Sequence, residues 1–160
     1  MAIYHDTVKP EWVDYNGHLR DAFYMLIYSL ATDAFMDSIG LDDATRRARH
    51  RTMYTLEAHV NFLREIKEGA QVRVEAQVLA RDAKRVHLYL EMFEGESREP
   101  VSASEQMLLH IDTTGDPKAA PFDADIAERI AASFSDAPRA RYAGRVIGLP
   151  ARSSAATDPA

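Results

Sequence analysis

The sequence predicts an α+β fold in which a curved antiparallel sheet of about five strands wraps around one long central helix. Two observations predict it. A long segment near the amino terminus carries apolar residues at helical spacing, and the segments after residue 53 alternate apolar and polar residues. A sheet with one apolar face must cover that face, and the long apolar helix can do so. One helix cannot cover the sheet from both sides, so self-association as a homodimer or a homotetramer is also expected.

The elements follow in a simple order. Residues 3–13 are expected to be extended, with Pro10 favouring an edge position or a bend. The helix is expected from about His18 to Ile39, because this segment is apolar on nearly every face and Gly40 supplies a C-terminal stop. Four strands are expected at residues 54–62, 72–78, 86–92 and 101–111, and a last helix from Asp123 to Phe134.

One acidic residue interrupts the pattern of the last strand. Glu105 falls in phase with the apolar side chains that are expected to face the helix, which are Val101, Ala103, Met107, Leu109 and Ile111. A charge on that face should be paired, functional or turned outward by a β-bulge, and we expect the bulge. Three strand histidines are expected on the polar face or at an interface: His59, His87 and His110.

Composition argues against several classes of function. Lys and Arg total 19 against 25 Asp and Glu, and the resulting formal net charge of −6 argues against nucleic-acid binding. The chain has no cysteine, which excludes disulfides and thiolate chemistry. No Gly-rich phosphate loop and no metal-spaced His/Asp/Glu cluster stands out, so neither a cofactor nor a metal is expected. Without a basic leader or a membrane-length apolar stretch, the sequence predicts a soluble cytoplasmic protein that does not bind membranes.

The length of 160 residues suits one domain. We expect that domain to cover residues 1–134. Residues 135–160 are rich in Ala, Ser, Pro and Arg, and we expect this tail to be loose or packed on a partner subunit.

A short motif at the start of the predicted helix carries a resemblance to a known family. The string DYNGH, residues 14–18, and the order of elements resemble the hotdog-fold acyl-CoA thioesterases of the 4-hydroxybenzoyl-CoA thioesterase branch, which have an Asp-x-x-Gly pattern at the helix entrance. The strings VKPEWVDYNGHLRDAFYM, YTLEAHVNFLREIKEG, DAKRVHLYLEMF and SEQMLLHID are similar to the betainyl-CoA thioesterases of carnitine catabolism. The resemblance covers roughly residues 3–134. It implies a hotdog fold and hydrolysis of an acyl-CoA, here betainyl-CoA to betaine and CoA, at a subunit interface.

Thioester hydrolysis needs a nucleophile or a base beside the carbonyl, and donors aimed at the developing oxyanion. By the resemblance, Asp14 is the catalytic carboxylate, acting as a nucleophile or as a base for water; the alternative is a turn or helix-cap residue. The expected oxyanion donors are amides around Gly17, His18 and Leu19 at the helix N-terminus. Gly17 suits the turn and also lets the carbonyl approach closely. Asn16 can orient water, hold the carbonyl or cap the helix, and His18 can be a general base or a packing residue.

Aromatic residues near the motif suggest a site for a quaternary ammonium, which binds over ring faces by cation–π attraction. Betaine is such a cation, and the candidate substrate-binding rings are Trp12, Tyr15 and Tyr24. Glu105 is a further candidate, because its charge can attract the ammonium group. The alternative for the rings is ordinary core packing.

The CoA phosphates require cations. Lys84 and Arg85, in the turn before the predicted strand 86–92, are the first candidates, because related hotdog enzymes bind CoA phosphates in this region. Arg64, with Lys67, follows the strand 54–62, and the basic stretch 46–51 is a further candidate. Each of these groups can equally be a solvated basic turn.

Other functions fit the same sequence. A hotdog dehydratase or hydratase would need a histidine facing a carboxylate across the site, and no clean pair is visible. A noncatalytic acyl-CoA binder, or a thioesterase for another short-chain or aromatic acyl-CoA, remains open, because fold alone does not determine function. Asp14 distinguishes them, since hydrolysis needs a carboxylate beside the thioester and binding does not.

Overall fold

The computed structural model of the chain describes residues 2–133 and 140–149. Its strands are β1 (Ala2–Thr7), β2 (Arg51–Phe62), β3 (Gln71–Arg81), β4 (Arg85–Glu94), β5 (Pro100–Asp112) and β6 (Lys118–Ala119). Its α-helices are α1 (Asp21–Ser38), α2 (Asp43–Arg49) and α3 (Ala124–Ala132), and a single 3-10 turn covers Pro10–Trp12. The predicted last helix therefore ends at Ala132, and Phe134 lies outside the described residues.

The strands form one antiparallel sheet in the order β1-β3-β4-β5-β2, with the short β6 paired to β5. The helix α1 packs on one face of this sheet, and the two share a core of aliphatic and aromatic side chains. Ile27, Tyr28 and Ala31 of α1 are fully buried there. The predicted α+β architecture, a sheet wrapped around one long helix, is confirmed. None of the helices in the described ranges is long and apolar enough to span a membrane.

The two ends of α1 differ in how well the sequence predicted them. At its C-terminus the amide of Gly40, with φ of 85°, donates to Asp37 O at 3.0 Å and that of Leu41 to Met36 O at 2.8 Å. These bonds define a Schellman motif, so the predicted glycine stop is confirmed. At its N-terminus the helix begins at Asp21 instead of about His18, because the preceding residues form a separate turn.

Strand β5 presents the opposite face to the one predicted. Its register with β4 slips between Met92 and Phe93, so Val101 is a bulge residue, and it does lie in the core. An inserted residue reverses the alternation of all side chains beyond it. The alternation therefore turns five buried side chains after the bulge toward the helix: Ser102, Ser104, Gln106, Leu108 and His110. Ala103 and Ile111 are buried too, but they lie outside the core cluster.

The reversed alternation corrects several expectations. Gln106 faces α1, where its Oε1 accepts a hydrogen bond from Thr32 Oγ1 at 3.0 Å. His110, expected on the polar face, is fully buried, with its ring 4.8 Å from that of Phe122. The helix-facing positions predicted beyond the bulge were wrong: Ala103, Met107, Leu109 and Ile111. The expectation that a bulge turns Glu105 away from the helix is confirmed.

Part of the C-terminal tail lies over the outer face of the sheet. The amide of Gly144 donates to Glu105 Oε2 at 2.6 Å, so the described residues 140–149 contact their own chain. The prediction that the tail is loose or packed on a partner concerns mainly residues outside the described ranges.

Candidate active site

Asp14 anchors a tight turn in front of α1. Its Oδ1 accepts hydrogen bonds from the amides of Asn16 at 2.8 Å and His18 at 3.1 Å. Its own amide donates to His18 O at 2.9 Å, and the amide of Gly17 donates to Asp14 O at 3.0 Å. Gly17 has φ of 76°, a conformation that favours glycine. Within the described part of the chain no hydrogen bond reaches Asp14 Oδ2, which leaves this oxygen available to a substrate or a water.

The surroundings of Asp14 favour its charged form. The hydrogen bond from the His18 amide, assisted by the Asn16 amide and the nearby charges of His18 and Arg20, lowers the pKa of the Asp14 carboxyl against a smaller opposing effect of burial. The group is therefore a carboxylate at neutral pH. Both roles open to it, nucleophile and base, require that form.

The amides expected to hold the oxyanion are already engaged. Those of Gly17 and His18 close the turn, and that of Leu19 donates to Ile66 O at 2.9 Å. These residues precede the helix, and the role of the residue 17–19 amides in holding the oxyanion stays a prediction. Within the described residues the free amide is instead that of Asp21, the first residue of α1, because the amides of Ala22 and Phe23 donate to Asp21 Oδ1 at 2.8 Å and to Arg20 O at 3.0 Å. Asn16 is not the helix cap, since the N-cap position of α1 is Arg20.

His18 lies beside the chain segment that follows β2. Its Nδ1 is 3.5 Å from Glu65 Oε2, and residues 18 and 67 form an isolated antiparallel bridge. The structure thus brings the Asp14 turn next to residues 62–67. The imidazole of His18 therefore pairs with Glu65 and keeps a quarter of its side chain exposed, so it is not simply packed in the core.

A cleft opens between the start of α1 and this segment. Its volume is about 290 Å³, and Asp21 and Tyr24 of α1 face Phe62, Arg64 and Glu65 across it. The rings of Tyr24 and Phe62 meet edge to face with centroids 5.3 Å apart. The sequence analysis identified Tyr24 and Arg64 as candidates but not Phe62 and Glu65. Phe62 is the last residue of β2 and Glu65 follows it, and no sequence motif marks either residue.

Two of the predicted aromatic ligands, Trp12 and Tyr15, do not line this cleft. Trp12 is only 5% exposed, because its ring stacks on Phe23 at 5.7 Å and lies 4.4 Å from Lys9 Nζ. Trp12 belongs to the core cluster, which agrees with the alternative of core packing, and its role in a substrate cage stays a prediction. Tyr15 is 93% exposed, and among the described residues it stacks on no other ring.

Glu105 is also separate from the Asp14 turn. It points away from α1, with its Oε1 2.5 Å from His87 Nε2 and its Oε2 bonded to the segment 140–149. A second cleft of about 260 Å³ lies there, with His59 and Glu57 on its wall. Within one chain Glu105 therefore cannot serve the site at Asp14.

The predicted CoA-binding cations differ in whether they already form ion pairs with carboxylates. Arg85 pairs with Asp82 at 2.5 Å, and the hydrogen bond from the Lys84 amide, followed by that from the Arg85 side chain, lowers the pKa of Asp82 to about 2. The Lys84 side chain is exposed in the same turn. Arg64 is the one that lines the cleft beside α1, where Glu94 lies 3.6 Å from it.

The basic stretch 46–51 is largely neutralised by acidic neighbours: Arg47 pairs with Asp43, Arg49 with Asp123 and Asp125, and Arg51 with Asp112. Among the described residues, no three His, Asp or Glu side chains are grouped to hold a metal. The arrangement at Asp14 instead suits hydrolysis by a carboxylate.

Comparisons with known proteins agree with this chemistry. The family model of the Thioesterase-like superfamily matches residues 8–130. The chain is 49% identical over 154 residues to the betainyl-CoA thioesterase of Pseudomonas aeruginosa, a match that covers 94% of this chain and 96% of that protein. It is 41% identical over 113 residues to the L-carnitine dehydrogenase/betainyl-CoA thioesterase of Agrobacterium fabrum, covering 71% of this chain and 23% of that longer protein.

Two solved structures are similar over nearly the whole chain. A crystal structure of a Pseudomonas putida KT2440 protein assigned to the thioesterases superposes with a TM-score of 0.83 at 46% identity, covering 94% of this chain and 97% of that one. A Staphylococcus aureus protein in complex with CoA superposes with a TM-score of 0.85 at 27% identity, covering 94% and 96%. The chain belongs to the thioesterase-like superfamily. Its predicted resemblance to the hotdog-fold acyl-CoA thioesterases, and among them to the betainyl-CoA thioesterases, is confirmed.

Proposed function

We propose that this protein hydrolyses betainyl-CoA to betaine and CoA, and that Asp14 is its catalytic carboxylate. The observation that carries the proposal is the Asp14 turn, which holds an ionised carboxylate with a free Oδ2 directly in front of α1. The similarity to a betainyl-CoA thioesterase over nearly its full length supports the choice of substrate.

Two routes give the same products. Asp14 Oδ2 can attack the thioester carbonyl, expel the CoA thiolate and form an anhydride that water then hydrolyses. Alternatively, Asp14 takes a proton from water as that water attacks the carbonyl, and the thiolate leaves with the proton. In both routes negative charge develops on the carbonyl oxygen, and the amide and dipole at the start of α1, beginning at Asp21, can stabilise it.

Several features beyond the carboxylate belong to the same proposal. Of the predicted cations for the CoA phosphates, the exposed Lys84 is the best placed, because Arg85 pairs with Asp82 at 2.5 Å and Arg64 lies 3.6 Å from Glu94. Self-association would use β2, an edge strand with exposed Tyr54 and Leu56 whose backbone can pair with a second copy. The cytoplasm, where CoA esters are made and used, is the proposed location.

Replacing Asp14 tests the proposal. Asp14→Asn keeps one side-chain oxygen to accept from the amides of Asn16 and His18, so the turn should survive while the charge is lost. We expect kcat for CoA thiol release from betainyl-CoA to fall about 10²–10⁴-fold, with an unchanged melting temperature. Asp14→Ala should lose activity and also destabilise the turn, because no side-chain oxygen is left to accept from the amides of Asn16 and His18.

The matched control is Asp116→Asn, an exposed aspartate between β5 and β6, which should leave turnover unchanged. Full activity in Asp14→Asn would exclude the catalytic role. Tight binding of betainyl-CoA without turnover in the wild type would favour the noncatalytic binder. Turnover of other acyl-CoAs only, still dependent on Asp14, would retain the thioesterase and discard the betainyl substrate.

A further inference from the structure

We propose that the cleft between α1 and the end of β2 is a subsite for the quaternary ammonium of the acyl group, with the ring of Phe62 and the carboxylates of Asp21 and Glu65 as its ligands and the buried ring of Tyr24 as the residue that positions Phe62. This inference rests on the proposed function and assigns its substrate specificity to four side chains.

The position of the cleft suits the geometry of the substrate. In a betainyl thioester a single methylene group separates the ammonium nitrogen from the carbonyl carbon, so both must bind side by side. Asp21 contributes the first amide of α1 and also lines the cleft. A carbonyl oxygen held by that amide therefore has its acyl substituent at the mouth of the cleft. The Asp14 turn is close by, since His18 contacts Glu65.

The ring of Phe62 provides a face that a quaternary ammonium prefers, and the ring of Tyr24 holds it at the cleft. Tyr24 is buried and fixed, because its hydroxyl donates to Arg64 O at 3.3 Å and its ring meets Phe62 at an interplanar angle of 78°. In an edge-to-face pair, the ring that presents its edge keeps both of its own faces free of the other ring. Phe62 is 56% exposed, so ligands can reach it. A methylated ammonium gains cation–π attraction there without needing hydrogen bonds, which it cannot donate.

The charges around the cleft favour a cation. Asp21 accepts a hydrogen bond from the Ala22 amide at 2.8 Å, and Glu65 lies 3.5 Å from the His18 imidazole, but among the described residues neither carboxylate pairs with a lysine or an arginine. Arg64 opposes them, but Glu94 lies 3.6 Å away and offsets its charge. The pKa of the Tyr24 hydroxyl is raised, first by burial and further by the charges of Glu65 and Glu94, as expected in a negative field.

The size of the cleft is also appropriate. Pockets for drug-sized ligands have volumes of about 300–1,000 Å³. At about 290 Å³ the cleft is large enough for a small acyl group. The larger part of a CoA ester would have to lie outside it.

A pair of isosteric substrates isolates the contribution of the charge. In 3,3-dimethylbutyryl-CoA a carbon atom replaces the nitrogen of betainyl-CoA, so shape is kept and the cation is lost. We would measure kcat/KM for both esters in the wild type, Phe62→Leu and Glu65→Gln, with Glu128→Gln on α3 as the matched control. Phe62 and Glu65 are largely exposed, so both variants should fold, which circular dichroism would verify.

We expect the wild type to prefer betainyl-CoA. The ratio of the two kcat/KM values should fall about 5–30-fold in Phe62→Leu, from the loss of a cation–π contact, and about 2–5-fold in Glu65→Gln, whose exposed charge is screened by solvent. The ratio should not change in Glu128→Gln. An unchanged ratio in both cleft variants would overturn the proposal, even if every variant stayed active.

Product binding separates this proposal from the hydrolytic function. Calorimetric titration with betaine and with 3,3-dimethylbutyrate should show weaker betaine binding in Phe62→Leu. If the wild type binds betaine in this Phe62-dependent way but does not hydrolyse betainyl-CoA, the subsite stands and the proposed reaction fails. If it hydrolyses betainyl-CoA with a ratio independent of Phe62 and Glu65, the reaction stands and the subsite fails.

Discussion

The C-terminal end of α1 offers a test of how the last helix is docked on the fold. Gly40 closes α1 with φ of 85°, and the Arg129 guanidinium of α3 lies beside it, with Nη1 3.4 Å from Ile39 O. A Cβ at position 40 would lie 1.6 Å from Arg129 Nη1. Gly40→Ala must therefore strain the backbone and also displace the arginine.

The magnitude follows from these two effects. A left-handed backbone conformation costs an L-residue about 1–2 kcal/mol. Moving Arg129 away removes a long hydrogen bond to a carbonyl, on the order of 1 kcal/mol. We expect Gly40→Ala to lower the free energy of unfolding by about 2–3 kcal/mol. The matched control is Gly69→Ala, since Gly69 has φ of 78° but no atom within 4 Å of its would-be Cβ, so it should lose only the backbone part.

Urea unfolding at constant protein concentration measures both effects. A double-mutant cycle with Arg129→Ala should show that Gly40→Ala costs about 1 kcal/mol less once the arginine side chain is gone. In that background its cost should approach that of Gly69→Ala. An equal cost of Gly40→Ala in both backgrounds would refute the docking argument, because it would show that Arg129 does not contact the helix end in solution.

Two further predictions concern charged groups outside the cleft. Hydrogen bonds from the Thr114 hydroxyl and amide lower the pKa of Asp112 to about 2. The folded pKa is below the unfolded one, so this stabilisation is complete above about pH 4 and is lost as the pH falls towards 2. In urea unfolding, the difference in stability between the wild type and Asp112→Asn should therefore disappear over that pH range. A difference that stays constant would contradict the prediction. Glu105→Ala removes the carboxylate that accepts from the Gly144 amide, so trypsin should cleave segment 140–149 faster in this variant. Glu57→Ala, a change at a second carboxylate of the cleft beside Glu105, should leave the cleavage rate unchanged. Equal rates in the two variants would show that Glu105 does not hold the segment.

Periodicity and turn residues in the sequence predict most of the fold because they are local properties. The segments 72–78 and 86–92 lie inside β3 and β4, and an apolar stripe followed by Gly40 identifies the long helix and its end. The face of β5 could not be predicted in the same way. One bulge residue, Val101, reverses every later side chain, and the slip is set by pairing with β4 instead of by the residues of β5 themselves.

The residues of the candidate site also differ in whether local sequence or long-range contacts determine their positions. Asp14 and Gly17 act within a single turn, so their spacing alone indicates their geometry. Phe62 and Glu65 reach the site through contacts between distant parts of the chain, such as the hydrogen bonds from the Leu19 amide to Ile66 O and from the Tyr24 hydroxyl to Arg64 O. No local pattern distinguishes these two residues from an ordinary strand end.

That long-range hydrogen bond also explains why the helix begins late. If α1 began at His18, the amides of residues 18 and 19 would be unpaired helical donors, and a carbonyl could bind directly above the Asp14 turn. Instead the Leu19 amide is committed to Ile66 O, and the first unpaired helical amide is that of Asp21. Under the proposed mechanism, this offset separates the reacting carboxylate of Asp14 from the Asp21 amide that would hold the oxyanion, and the cleft lies beside them. Substrate choice in this fold should therefore depend more on residues 62–65, which form the wall of that cleft, than on the Asp-x-x-Gly motif, whose geometry serves any thioester.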